Sequence, residues 1–321
     1  MDWREMMLVR PHAELPEVLA GARGELSLRR VMGRHQASRF GHSFGGKRVP
    51  RDPTHPTAGR YEIDLIVVTP RRIAIVEVKH WSGTLRLDAD RWVYQRRSGE
   101  EQVFESLIAH NENKVRALRR YLRAEGVDVP ATRLTQWVVF THPRLELDDR
   151  LAALPGVMTL YDLQTSGSRF GREVSGPEFL LARLIERCAE PSTADMLTEG
   201  LLEMLRPAVT ARIAEAVGRL RSWDVLRLHG GRQLIGDLLW VRVAGRRLDG
   251  LPAGRKAALH WWRGKLGGLV PLVGLAAFGR LRGDLLPEGP LRVDDCAYFH
   301  EAGRPKPSVI ALQYVDEMRT G

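Results

Sequence analysis

Two apolar runs rich in Ile and Val, residues 63–69 and 73–78, are separated only by Pro70-Arg71-Arg72. β-Branched residues on either side of a proline-containing turn predict a strand hairpin. Upstream, Val18, Leu19, Ala22, Leu26, Leu28 and Met32 recur at intervals of roughly three to four, predicting a helix over residues 16–32 that is interrupted at Gly21 and Gly24 and carries Glu25. Downstream, residues 84–87 and 92–95 read as short strands. Residues 107–123 read as a helix with Ile108, Val115, Leu118 and Leu122 inward and Lys114, Arg116, Arg119, Arg120 and Arg123 on its other faces. Residues 137–140 have the look of a buried strand, and residues 157–161 of another. Strands interleaved with helices predict an α/β fold around a mixed sheet.

Helical patterns resume at 177–188 and near 194–205, and the texture changes after Pro207. This predicts an α/β domain over residues 1–170, a helical connector over 171–206, and a smaller C-terminal domain containing strands over 207–321. In the last of these, Gly231-Arg232-Gln233-Leu234-Ile235-Gly236-Asp237-Leu238-Leu239 resembles Gly279-Arg280-Leu281-Arg282-Gly283-Asp284-Leu285-Leu286, a faint sign of a duplicated β unit. Between the copies, Arg255, Lys256, Arg263 and Lys265 flank Trp261-Trp262, which either stack on unpaired bases or anchor a small core.

Composition narrows the class. The 321 residues are 44% hydrophobic and 27% charged, as in a globular protein. Lys and Arg outnumber Asp and Glu by 49 to 39, a net charge of +10 that suits a polyanionic partner, nucleic acid above all. The two cysteines, Cys188 and Cys296, have no neighbours at metal-ligand spacing, which excludes a zinc framework. No signal-like segment opens the chain, and the most apolar run, residues 266–278, is short and Gly-rich, so a cytoplasmic protein without a membrane span is expected.

The candidate chemistry lies on the hairpin. Residues two apart on a strand share a face, so Glu77 and Lys79 point one way and Val76 and Val78 the other. If Thr69 pairs with Arg72, the register sets Asp64 opposite Glu77, with Cβ atoms about 4.5–5.5 Å apart, close enough to share one divalent cation. Oxygen ligands alone favour Mg²⁺ or Mn²⁺. Lys79 would orient or deprotonate water and offset charge in the transition state of phosphodiester hydrolysis. The same residues also fit the polar face of an amphipathic hairpin. Repulsion between the acids implies that removing either one leaves the metal-free protein as stable or more so. The cations of residues 34–60, read as a basic loop or irregular hairpin, precede Asp64 directly; Arg39, Lys47, Arg48, Arg51 and Arg60, with Trp81, are the expected nucleic-acid contacts.

Glu62-Ile63-Asp64 followed by Ile75-Val76-Glu77-Val78-Lys79 resembles the D…(D/E)xK signature of the PD-(D/E)XK nuclease superfamily. With Gly24-Glu25, Leu65-Ile66 and Ser82-Gly83-Thr84, the set is similar to the nuclease-related domain, NERD, over roughly residues 20–165. The resemblance implies a restriction-endonuclease-like mixed sheet flanked by helices, Asp64 and Glu77 as metal ligands, Lys79 as the catalytic lysine, and Glu25 as a further catalytic or water-holding acid. Glu62, on Asp64's face, is an accessory candidate. Where family members often carry Gln, this chain has His110, beside Asn111, and both are accessory candidates. The implied activity is a Mg²⁺- or Mn²⁺-dependent nuclease on DNA rather than RNA, an endonuclease or nickase, with defence against foreign DNA as a guessed setting. The rival readings are a non-catalytic nucleic-acid-binding protein, and a nuclease silenced by a C-terminal module that takes a protein partner or a second copy of the chain.

Overall fold

A computed structural model of the chain describes Gly24, Leu28 and residues 40–54, 59–165, 174–249, 251–252, 254–261, 279–286, 289–292, 294–302, 304 and 306–321. These divide into two units at Leu220/Arg221.

The first unit is built on a five-stranded sheet. Strands β1 (His42–Pro50), β2 (Arg60–Val68) and β3 (Ile73–Lys79) run antiparallel in sequence. A smaller sheet follows in the chain, β4 (Gly83–Asp88), β5 (Arg91–Arg96) and β6 (Glu101–Phe104), and then helix α1 (Leu107–Ala124). Strand β7 (Leu134–Phe140) lies parallel beside β3, β8 (Leu145–Leu147) joins β4, and β9 (Val157–Thr159) lies parallel beside β7. The main order is therefore β1-β2-β3-β7-β9, a mixed sheet as the strand and helix patterns predict. The residues read as a basic loop or irregular hairpin contain a nine-residue strand, β1, paired antiparallel with β2.

The β2–β3 hairpin closes as tightly as its sequence predicts. The Thr69 N–H donates to the Arg72 carbonyl at 2.9 Å, and Val68, Val67, Ile66 and Leu65 face Ile73, Ala74, Ile75 and Val76. Alternation then divides the apolar positions between two cores. Ile73 and Ile75 pack with Ala117, Leu118 and Leu122 of α1, whereas Ala74, Val76 and Val78 pack with Leu28, Trp137 and Val139. Ser106 caps α1 by accepting from the Ala109 N–H.

Helices α2 (Gly176–Cys188) and α3 (Pro191–Leu201) precede α4 (Pro207–Arg219). The change of texture after Pro207 predicts the start of the C-terminal domain there, but Ile213, Ala214, Ala216, Val217 and Leu220 join the core of α1. Tyr121 of α1 donates its hydroxyl to the Ala216 carbonyl at 3.0 Å. Helix α4 thus completes the first unit.

The second unit, from Arg221, is an antiparallel sheet with nine strands among the described residues, around Leu226, Leu238, Val241, Leu259, Leu281, Phe299 and Met318. Gly236 and Gly283, at matching places in the faint repeat, share a task. A Cβ on Gly236 would lie 2.1 Å from the His300 carbonyl, and one on Gly283 2.2 Å from that of Lys256, so both positions let a neighbouring strand approach. Trp262, Arg263 and Lys265 lie outside the described residues, as do Glu25 and Arg39. Among the described residues no helix is long and apolar enough to cross a membrane.

Candidate functional site

Strands β2 and β3 pair regularly as far as Leu65 and Val76, and the next step of that register sets Asp64 against Glu77. There the chain departs from simple alternation. Ile63 belongs to the core under α1 and Leu65 to the opposite one, although residues two apart on a strand share a face. Gly46, facing Asp64 in the β1 register, has φ +60°, a left-handed geometry that suits glycine. This local turn of the strand frees the Asp64 side chain, whose Oδ2 accepts the Val78 N–H at 2.7 Å.

Glu77 lies under α1. Its Oε1 accepts from the Lys79 ammonium at 2.7 Å and its Oε2 from Lys114, both 77 and 114 being buried. Burial alone would raise the Glu77 carboxyl, but the two lysines outweigh it and hold the group below its ordinary range. Lys79 shows the mirror effect: desolvation opposes its charge, but Glu77 prevails and its pKa is raised. Asp64 has only the Val78 N–H and more distant lysines in its favour. Burial first, and then the charge of Glu77, push it up to about 7.

Lys114 is the residue that helix periodicity placed on the wrong side. Its long aliphatic stem and charge suit a solvated face, yet 111, 114, 118 and 122 form the inward stripe of α1, spaced by three and four. That spacing is the signal that could have found it. Asn111, on the same stripe, is fully buried and donates Nδ2 to the Trp137 carbonyl at 3.3 Å. It fastens α1 to β7 instead of facing a ligand at the surface. His110 is exposed, edge-on to Tyr61 with ring centroids 6.2 Å apart. Burial on one side and the charge of Lys114 lower its pKa, so the imidazole is neutral at pH 7. Glu62 is exposed, and its negative charge helps to raise Lys79.

The expected nucleic-acid contacts separate into two groups. Arg51 is exposed, with its guanidinium 4.8 Å from the centre of the Tyr61 ring, and it acts on His110, so it stands at the rim of the site. Arg60 is half-buried on β2. Lys47, in contrast, donates to the carbonyls of Gly218 and Leu220 at 2.9 and 2.7 Å, where a cation satisfies the orphan acceptors that end α4. Arg48 is buried. Trp81 stacks on Tyr94 and Phe104, centroids 4.6 and 5.1 Å away, so it anchors the small sheet, with the Lys79 ammonium 5.7 Å from its ring centre. Lys47 and Trp81 are thus engaged within the protein itself, and Arg48 is buried.

Among the described residues no group of three or more His, Cys, Asp or Glu gathers as a metal site. Among the described residues, two carboxylates, Asp64 and Glu77, stand at this point. That set fits Mg²⁺, which is commonly held by one or two carboxylates and keeps several waters. Gly24 lies against the same strand ends: a Cβ there would lie 2.8 Å from Thr141 Oγ1 and 3.1 Å from His80 Cβ.

Residues 20–141 match the family model of the nuclease-related domain, NERD. Neither curated proteins nor solved structures give a match. The matched segment spans β1 to β7 and holds Asp64, Glu77, Lys79 and Lys114. The chain thus carries a nuclease-related domain, and the mixed sheet around it is of the restriction-endonuclease-like class.

Proposed function

We propose that this domain is a metal-dependent nuclease that hydrolyses phosphodiester bonds in DNA, as an endonuclease or nickase acting in the cytoplasm, with defence against foreign DNA as its setting. The observation that carries this reading is the closeness of Asp64, which accepts the Val78 N–H and feels the charge of Glu77, to Glu77 itself, with the Lys79 ammonium 2.7 Å from Glu77. Asp64 and Glu77 would hold Mg²⁺ or Mn²⁺, which when bound supplies Lewis acidity and a more acidic water. Lys79 offers a donor to a non-bridging phosphate oxygen as negative charge grows there. Lys114 fixes the rotamer of Glu77 from the opposite side. His110, neutral, can exchange hydrogen bonds with a water or phosphate, and Arg51 can take a phosphate next to the scissile one.

The test is incubation of the purified chain with linear, supercoiled and single-stranded DNA in Mg²⁺, Mn²⁺ or EDTA. Cleavage with either metal is expected, lost in Asp64→Ala, Glu77→Ala and Lys79→Ala; cleavage unchanged in all three would overturn the assignment. One observation favours a second reading, non-catalytic nucleic-acid binding: Glu77 already has a buried cation, Lys114, on Oε2. In that case the same assay retains DNA uncut with both metals.

A further inference from the structure

At the far end of the hairpin from Asp64, Arg71, Arg72, Arg133, Thr132, Leu134, Thr135 and Glu203 line an open cleft of about 510 Å³. Arg71 is buried and reaches Glu178 at 3.2 Å and the Glu203 carbonyl at 3.5 Å, while its Nε is buried with no partner among the described residues. Arg133 donates to the carbonyls of Glu203 and Arg71 at 2.7 and 3.4 Å. Glu203 has φ +53°, a left-handed conformation that costs a non-glycine residue strain, and its carbonyl aligns both arginines. The Leu205 N–H donates to the Pro70 carbonyl at 2.6 Å, pinning the hairpin turn against this wall.

Charge in the cleft is unbalanced. Three guanidiniums meet Glu178 and a Glu203 side chain that is 77% exposed, while the Arg72 guanidinium has no hydrogen bond or ion pair among the described residues. It is half-buried beside Arg71, and desolvation together with that like charge disfavours its charged form. Clustered guanidiniums, those of Arg71 and Arg133 held by carbonyls and that of Arg72 left to turn toward a ligand, suit the fork geometry by which arginine takes phosphate, and Thr132 and Thr135 add hydroxyls to the lining. We propose that this cleft binds a phosphate ester, carried by a free nucleotide or by a nucleic-acid strand, through Arg72 with Arg133. It is a second anion site, separate from Asp64 and Glu77: Arg72 and Glu77 are five residues apart along the chain, about 17 Å at about 3.3 Å per residue.

Titration calorimetry on the full chain in EDTA, with dAMP and with a short single-stranded oligodeoxynucleotide, tests this without calling on catalysis. Arg72→Met removes the unpartnered charge and keeps the stem. Thr132→Glu places a negative charge at an exposed position on the rim and serves if the first variant folds poorly. Each should weaken binding of one probe by about tenfold or more. Loss seen with dAMP assigns the site to a free nucleotide, and loss confined to the oligonucleotide assigns it to a strand phosphate. If neither probe binds the wild type, or both bind the variants as tightly, the proposal is wrong.

Discussion

Replacing Asp64 by Asn should stabilise the metal-free protein, and only at neutral to alkaline pH. In the fold the Asp64 carboxyl titrates near 7, raised by burial and by Glu77, against an ordinary value of 3.8. A folded-state pKa above the unfolded one means that ionisation opposes folding. The penalty is absent below about pH 4, grows between about pH 4 and 7, and is complete above that. About three pKa units at about 1.36 kcal/mol each give an upper figure of about 4 kcal/mol, and sharing of the titration with Glu77 reduces it to about 2–4 kcal/mol. Asn keeps an oxygen for the Val78 N–H and removes the charge. Calorimetric scans in EDTA at pH 5 and pH 8 should show the variant melting about 5–10 °C above wild type at pH 8, with a clearly smaller difference at pH 5. An equal loss of stability at both pH values would refute the reasoning, since it would mean that Asp64 is favourably paired in its charged form.

Glu77→Ala should act in the opposite sense, because it leaves Lys114 buried without its partner; a loss of about 3–5 kcal/mol in urea unfolding is expected, and a neutral result would exclude the Lys114 ion pair. This corrects the expectation that removing either acid is harmless. Lys47→Met should cost about 1–3 kcal/mol of stability and leave the salt dependence of DNA binding unchanged, whereas Arg51→Ala should make the log–log salt slope shallower by up to about 0.9 with little effect on melting. His110→Gln should preserve or raise cleavage and His110→Ala lower it in single-turnover assays; equal rates for all three would make His110 a plain surface residue.

What could be read in the chain beforehand follows the range of the interactions. The hairpin register was legible because a short turn with Thr69 and Arg72 at its ends fixes the pairs from Val68 with Ile73 to Leu65 with Val76, which brings Asp64 near Glu77. The roles of Lys47 and Lys114 depend on partners 171 to 173 and 37 residues away, and a basic side chain carries no local sign of whether it will meet a phosphate, a helix end or a buried carboxylate. The packing of Trp81 is hidden for a related reason: its stacking partners Tyr94 and Phe104 arrive on separate strands of the small sheet. The place of α4 was hidden because composition shifts near Pro207, while its apolar face is completed by elements distant in sequence, α1, β1 and β2 among them.

The short turn also limits how this domain can change over time. An insertion or deletion of one residue between Val68 and Ile73 would rotate the strand beyond it by half a pleat and turn Glu77 away from Asp64. The connection between β1 and β2, residues 51–59, carries no such constraint from the acid pair and can accept length changes. Related chains with the same chemistry should therefore vary freely in the first connection and hold the second to a constant length.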